Sequence, residues 1–239
     1  TPGGFELFFK DFGDRLGRGP VGLDELNRLG EPHGIRFFDD WIPDLKAAYD
    51  LRVVGALIAG FVSGIVRDAF IARGHQAVSC DLLPSERPGP HVQGSVFDVR
   101  VVNAGWDLMI AHPDCTFLTV SGARWMSEEW RQEALLMALH AVKALWKFPV
   151  EKVAIENPVG RLSSLWRGPD QYIQPYQFGH GETKATGLWL RGLPNLEPTN
   201  HVEGRDGRVW KEAPSPERKK NRSRTYEGIA KAMAEQWGH

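Results

Sequence analysis

This chain of 239 residues is expected to fold as α/β, with a doubly wound, mostly parallel sheet. From Arg52 onward, short apolar runs alternate with helical patterns, the rhythm of successive βαβ units. The runs are apolar throughout rather than alternating, as strands covered on both faces are. Glycines punctuate the joins: Gly60 and Gly64 after the first run, Gly74 after the next helix.

Residues 1–50 read as an extension packed on the main domain, with no chemistry assigned. Phe5, Leu7, Phe8, Phe9 and Phe12 make an apolar cluster, Gly13 to Gly22 interrupt any helix, and 23–29 and 42–49 suit short amphipathic helices. Residues 51–192 form the core. The spacing predicts a strand at 53–59, a turn at 60–64 and a helix at 65–73 with Ile65, Val66, Ala69 and Phe70 on one side. A second strand at 76–80 ends at Asp81, and a third lies at 92–96. The fourth and fifth, 106–111 and 152–155, are separated by a long helix at 127–146. Ser127 is its N-cap, with Glu128 and Glu129 in the first turn. Segments 172–178 and 186–190 suit further strands in an antiparallel, hairpin-like arrangement. Residues 193–239 complete the core as a short basic loop, irregular to 224, and a terminal helix at 225–237.

Apolar residues make up 42% and charged residues 25%, which suits a globular protein and excludes a disordered chain. A net charge of −1 excludes a globally basic nucleic-acid binder, though not a local basic patch. Nine Trp are available for stacking as well as for packing. The two cysteines, Cys80 and Cys115, cannot build a disulfide framework or a thiolate zinc site alone. With no secretory pattern at the N-terminus, a reducing cytoplasm is the expected compartment. No apolar run approaches the roughly 18 residues of a membrane span, and His75, His140, His180 and His201 lack metal-ligand spacing. Neither membrane nor metal is expected.

Two short stretches carry the chemistry. His112-Pro113-Asp114-Cys115-Thr116 comes after the fourth predicted strand, and Glu156-Asn157-Pro158 after the fifth. In open α/β sheets, ligands bind outside the carboxyl ends of the strands. A thiol and a carboxyl group placed side by side there suit a nucleophile and a proton donor acting on one flat substrate. At the same sheet edge, the turn Gly60-Phe61-Val62-Ser63-Gly64 lets a ligand approach the backbone, and Asp81 can accept hydrogen bonds from ribose hydroxyls. That combination points to a nucleotide cofactor.

With these motifs in this order, the chain resembles the DNA cytosine C5 methyltransferase superfamily, in particular its small phage-type members. The resemblance spans roughly 52–237. It includes the opening helix Ser63-Gly64-Ile65-Val66-Arg67-Asp68-Ala69-Phe70 and the Arg224-Thr225-Tyr226 entry to the last helix. It implies a Rossmann-like S-adenosylmethionine methyltransferase fold and S-adenosyl-L-methionine as cofactor. Its catalytic residues would be Cys115, Glu156 and Asn157. Cys115 would add to C6 of cytosine, and Glu156, its pKa raised by partial burial, would protonate N3. On the cofactor side the resemblance implies Val62, Ser63, Gly64, Asp81, Asp98 and Pro113. It places Gln174, Gln177, Lys184 and Thr186 near backbone or cofactor-side loops. The partner is DNA, with RNA or a free nucleotide as alternatives because 193–224 is too short for a large specificity domain. The setting is the cytoplasm of a bacterium or phage-infected host.

The cations Arg218, Lys219, Lys220, Arg222 and Arg224 form a phosphate-binding candidate. Several positions depart from the family pattern. Asp114 stands where a second proline is usual and places a negative charge beside Cys115, disfavouring the thiolate. Thr116 replaces a glutamine, Ser95 an aspartate, and Phe61 and Val62 a more polar pair. These changes support a competing expectation, a catalytically silent nucleic-acid-binding relative.

Overall fold

The computed structural model describes residue 28 and residues 55–60, 63–119, 129–213, 215 and 218–239. The expectations for 1–50, apart from Arg28, for the strand start at 53–54, and for Phe61, Val62, Ser127 and Glu128 therefore lie outside the described residues. Among the described residues, seven strands form one sheet: β1 (Gly55–Ala59), β2 (Gln76–Asp81), β3 (His91–Gln93), β4 (Leu108–Ala111), β5 (Lys152–Pro158), β6 (Gln171–Ile173) and β7 (Thr186–Arg191). Their order is β3-β2-β1-β4-β5-β7-β6. β1 to β5 are parallel, whereas β7 runs antiparallel between β5 and β6. The fold is thus α/β with a mostly parallel sheet that becomes mixed at one edge. Strand order reverses between β1 and β4, the switch point at whose carboxyl ends open α/β sheets place their ligand crevice.

Helices cover both faces of the sheet. Alternate side chains of the central strands separate into two cores, as a period of two requires. Leu57, Ala59, Met109, Ala111, Val153 and Ile155 face one core. Over them lie α2 (Val99–Val102) and α3 (Glu129–Trp146), the latter through Leu135, Leu139, Val142 and Leu145. Ala56, Ile58, Leu108, Ile110 and Ala154 face the other core. There α1 (Ile65–Ile71) contributes Val66 and Phe70. The last helix, α7 (Glu227–Trp237), contributes Ile229, Ala230, Met233, Ala234 and Trp237. Gly74 comes just past α1 with φ 84°, the left-handed C′ conformation that its position predicts.

The structure corrects the expected elements at several places. β5 does not stop before Glu156. It runs to Pro158, because β7 lies alongside and pairs Glu156 with Leu188 and Asn157 with Gly187. Only the start of 172–178 is a strand; Pro175 then begins a 3₁₀ turn, Pro175–Gln177, since a proline has no N–H to extend the ladder. The stretch read as irregular contains two short helices, α5 (Arg208–Lys211) and α6 (Arg218–Ser223), while α4 (Leu162–Leu165) comes after β5. One cluster of tryptophans is structural. Trp146, Trp166 and Trp189 pack with ring centroids 5.4 and 6.4 Å apart, and the Trp189 indole N–H donates to Arg167 O.

Candidate active site

β4 and β5 end side by side, Ala111 opposite Ile155, so the loop after Ala111 meets Glu156 directly. Asn157 is fully buried, and its side-chain amide donates to Pro113 O at 3.1 Å. Beyond Pro113 the chain makes a tight turn in which the N–H groups of Leu118 and Thr119 donate to Cys115 O. Arg161 N–H, past the end of β5, donates to Leu118 O at 2.7 Å, and Thr119 bridges to Gly160. A Cβ on Gly160 would stand 2.2 Å from Leu118 O, so only glycine admits this approach. The Cys115 turn is therefore tied to β5 at both ends. Cys115, Glu156 and Asn157 come together as their order in the sequence implies.

His112 Nδ1 lies 2.9 Å from Glu156 Oε2, with both side chains largely buried. Burial pushes the Glu156 carboxyl up. The hydrogen bond and charge of His112, the charge of Lys184 and the Thr186 hydroxyl outweigh it and hold the group below the usual carboxylate range. This corrects the expectation of a raised pKa: Glu156 rests as a carboxylate. Cys115 moves the opposite way. Partial burial and then the charges of Asp114 and Glu156 push its thiol up, against the pull of Lys184 and of a hydrogen bond to a backbone N–H. The other cysteine, Cys80, is fully buried in β2, and burial pushes its thiol up to about 12.

Lys184 is the cation that Cys115 and Glu156 share. It precedes β7, whose Thr186 pairs with Pro158. Its N–H donates to Gln174 Oε1 at 3.0 Å, and its Nζ donates to Arg224 O at 3.2 Å. A clamp holds this segment against the start of α7. Tyr226 OH donates to Glu182, which also pairs with Arg208 at 2.6 Å, and Gly228 N–H donates to His180 Nε2 at 3.0 Å. Tyr226 was read only as part of the entry to the last helix and His180 only as a scattered histidine; their clamp with Glu182, and the His112–Glu156 bond, escape the sequence reading. A further signal was the polar run 179–184, with glycines at 179 and 181.

On the cofactor side, most of the expected contacts have partners within the protein. Ser63 is buried and accepts from Ile65 N–H. Gly64 has φ 70°, but the space beside it is filled by the Arg67 guanidinium, 2.7 Å from where a Cβ would lie. Asp98 caps α2 and pairs with Arg100 through both oxygens. Pro113 accepts from Asn157, and Ser95 accepts from Phe97 N–H. Asp81, at the half-exposed end of β2, accepts from Leu83 N–H at 2.9 Å in a turn. Of this set, the Asp81 carboxylate lies half-exposed at the carboxyl end of β2, whereas Gly64 lies against Arg67 and Asp98 is engaged with Arg100.

Among the basic candidates, Arg224 pairs with Glu86 at 2.9 Å. Arg218, Lys219, Lys220 and Arg222 lie on α6. Among the described residues no cluster could hold a metal ion, and no helix is long and apolar enough to cross a membrane.

No protein-family model matches the chain, and no curated protein does. Among solved structures, it is similar to a prophage-encoded E. coli protein described provisionally as a DNA modification methyltransferase, with 12% identity and a TM-score of 0.40. The match covers 67% of this chain and 55% of that one, so the chain spans about half the length of the protein it matches.

Proposed function

We propose that this protein is an S-adenosylmethionine-dependent methyltransferase acting on C5 of cytosine in DNA, with Cys115 as nucleophile. The observation that carries the reading is the seating of Cys115 and Glu156 at the adjoining ends of β4 and β5, fixed by the Asn157–Pro113 bond. The Cys115 thiolate adds to C6 and so turns C5 into a carbon nucleophile. Glu156 meets the N3 and N4 edge of the ring, accepting from the exocyclic amine, while Asn157 holds the nucleophile turn in place. Lys184 offsets the negative charge of both groups. The cofactor, when bound, supplies the methyl group; Asp81 would hold its ribose hydroxyls. A base inside a duplex must be flipped out to reach this crevice, and the cations of α6 suit the flanking phosphates. The short 193–224 stretch leaves RNA or a nucleotide as alternative substrates for the same chemistry.

A 5-fluorocytosine oligonucleotide tests the reading. With cofactor present it should form a covalent adduct, because fluorine cannot be eliminated. Cys115→Ser should abolish the adduct and Cys80→Ser should not; an adduct that survives Cys115→Ser removes this cysteine from the mechanism. The raised Cys115 thiol favours one other reading, a nucleic-acid-binding relative without chemistry. Calorimetry separates the two, since that relative would show no heat of binding with millimolar S-adenosylmethionine.

A further inference from the structure

His112 is the buried, ionisable side chain at this site for which the chemistry above has no use. Its Nδ1 sits 2.9 Å from Glu156 Oε2. A carboxylate only accepts, so the proton in that bond belongs to His112. The strands fix both partners. His112 N–H donates to Ala59 O at 2.8 Å, and a Cβ on Gly60 would stand 2.7 Å from His112 O, so β1 packs directly on its backbone. Glu156 is held within the β5–β7 ladder. The bond thus joins two rigid elements, the arrangement a preorganised site requires.

An ionised Glu156 can accept from the ring but has no proton to give, whereas addition of a thiolate to C6 leaves an electron pair at N3 that needs one. We propose that His112 is the proton store of this site, its imidazolium passing the Nδ1 proton to Glu156 as Glu156 protonates N3. The inference rests on the cytosine C5 reading. Sulfur bonds to C6, the C5–C6 π pair moves to C4–C5, and the C4–N3 π pair moves to N3. N3 takes the proton, and His112 becomes neutral. After methyl transfer, the C5 proton leaves to water, the C6–S bond breaks to release thiolate, and the N3 proton returns through Glu156 to His112. The other charged or titratable groups facing the pair are Asp114 and Cys115 on the same loop and Lys184 across from it; the described residues of β1 offer none.

The test uses exchange of the C5 hydrogen, which needs Cys115 and the proton store but no methyl donor. Tritium release from DNA carrying 5-tritiated cytosine should decline in the wild type as pH rises, in step with the His112 ¹⁵N resonance. His112→Asn keeps an N–H donor to Glu156 but has no proton to transfer. It should bind DNA normally and release tritium about 100-fold more slowly, the low end of general-acid contributions, with the alkaline decline gone. A His112→Asn protein that keeps both the rate and the decline overturns the proposal. If that variant does not fold, a wild-type decline that fails to track His112 overturns it equally. Absence of both tritium release and the 5-fluorocytosine adduct in the wild type would instead sink the cytosine reading, and this inference with it.

Discussion

Glu156 and Cys115 share one electrostatic field, and it sets their resting states in opposite senses. Because the folded Glu156 carboxyl lies below its ordinary 4.5, it stabilises the protein above that pH, and this contribution is lost as pH falls through its folded value. Urea midpoints should therefore fall on acidification below about pH 4.5, and Glu156→Gln should flatten that part of the curve. In the proposed reaction the Glu156 carboxyl would also discriminate between bases. Carrying the proton, it would donate to N3 and accept from the N4 amine of cytosine, whereas uracil and thymine present the reverse, an N3–H and a carbonyl, the kind of mismatch a hydrogen-bonding site rejects strongly. Arg67 is the other residue on which much depends. Its fully buried guanidinium donates to Ser79, Ser85, Asp68 and the carbonyls of Arg87, Pro88 and Pro90. Arg67→Met removes all of these hydrogen bonds and should cost about 3 kcal/mol in urea unfolding, with faster amide exchange along 82–90. Sequence reading placed Arg67 only as one residue of a helix, since nothing local marks a side chain most of whose partners lie far along the chain.

At the level of elements, α6 carries the electrostatic test. Changing Arg218, Lys219 and Lys220 to Ala should weaken binding to every DNA sequence alike and flatten the slope of log affinity against log salt by about 0.9 per lost contact. An unchanged slope in gel-shift titrations would make α6 a solvated face. The strands β1, β2, β4 and β5 were legible because a strand buried on both faces is written as a continuous apolar run. β7 was legible as a strand but not in its place, because the sequence has no local mark for insertion between β5 and β6. That insertion changed Glu156 and Asn157 from loop residues into ladder residues. The segment 172–178 failed for a simpler reason, Pro175, whose effect on the ladder a count of apolar positions overlooks. The nearness of Cys115 to Glu156 was legible from two motifs after two strands. The partners that set its charge, His112 and Lys184, depend on cross-strand register, which no local pattern records.

Across the whole molecule, the face of the sheet over Ala56, Ile58 and Ile110 is closed jointly by α1 and α7. Met233 is fully buried there, and Met233→Ala should cost about 2–5 kcal/mol by thermal or urea unfolding. A loss under about 1 kcal/mol would mean that α7 is only loosely seated. A Cβ on Gly228, in the first turn of α7, would stand 1.8 Å from Phe178 O, so the helix and the 178–184 segment meet without room to spare. The shared cover has a kinetic meaning as well. During synthesis, β1, α1 and β4 leave the ribosome long before the helix that completes their cover, and the pairings it needs are distant in sequence and slow to form. Until 229–237 emerge, the nascent chain carries an open apolar wall beside finished strands, and that interval is when it is most exposed to aggregation and most in need of a chaperone.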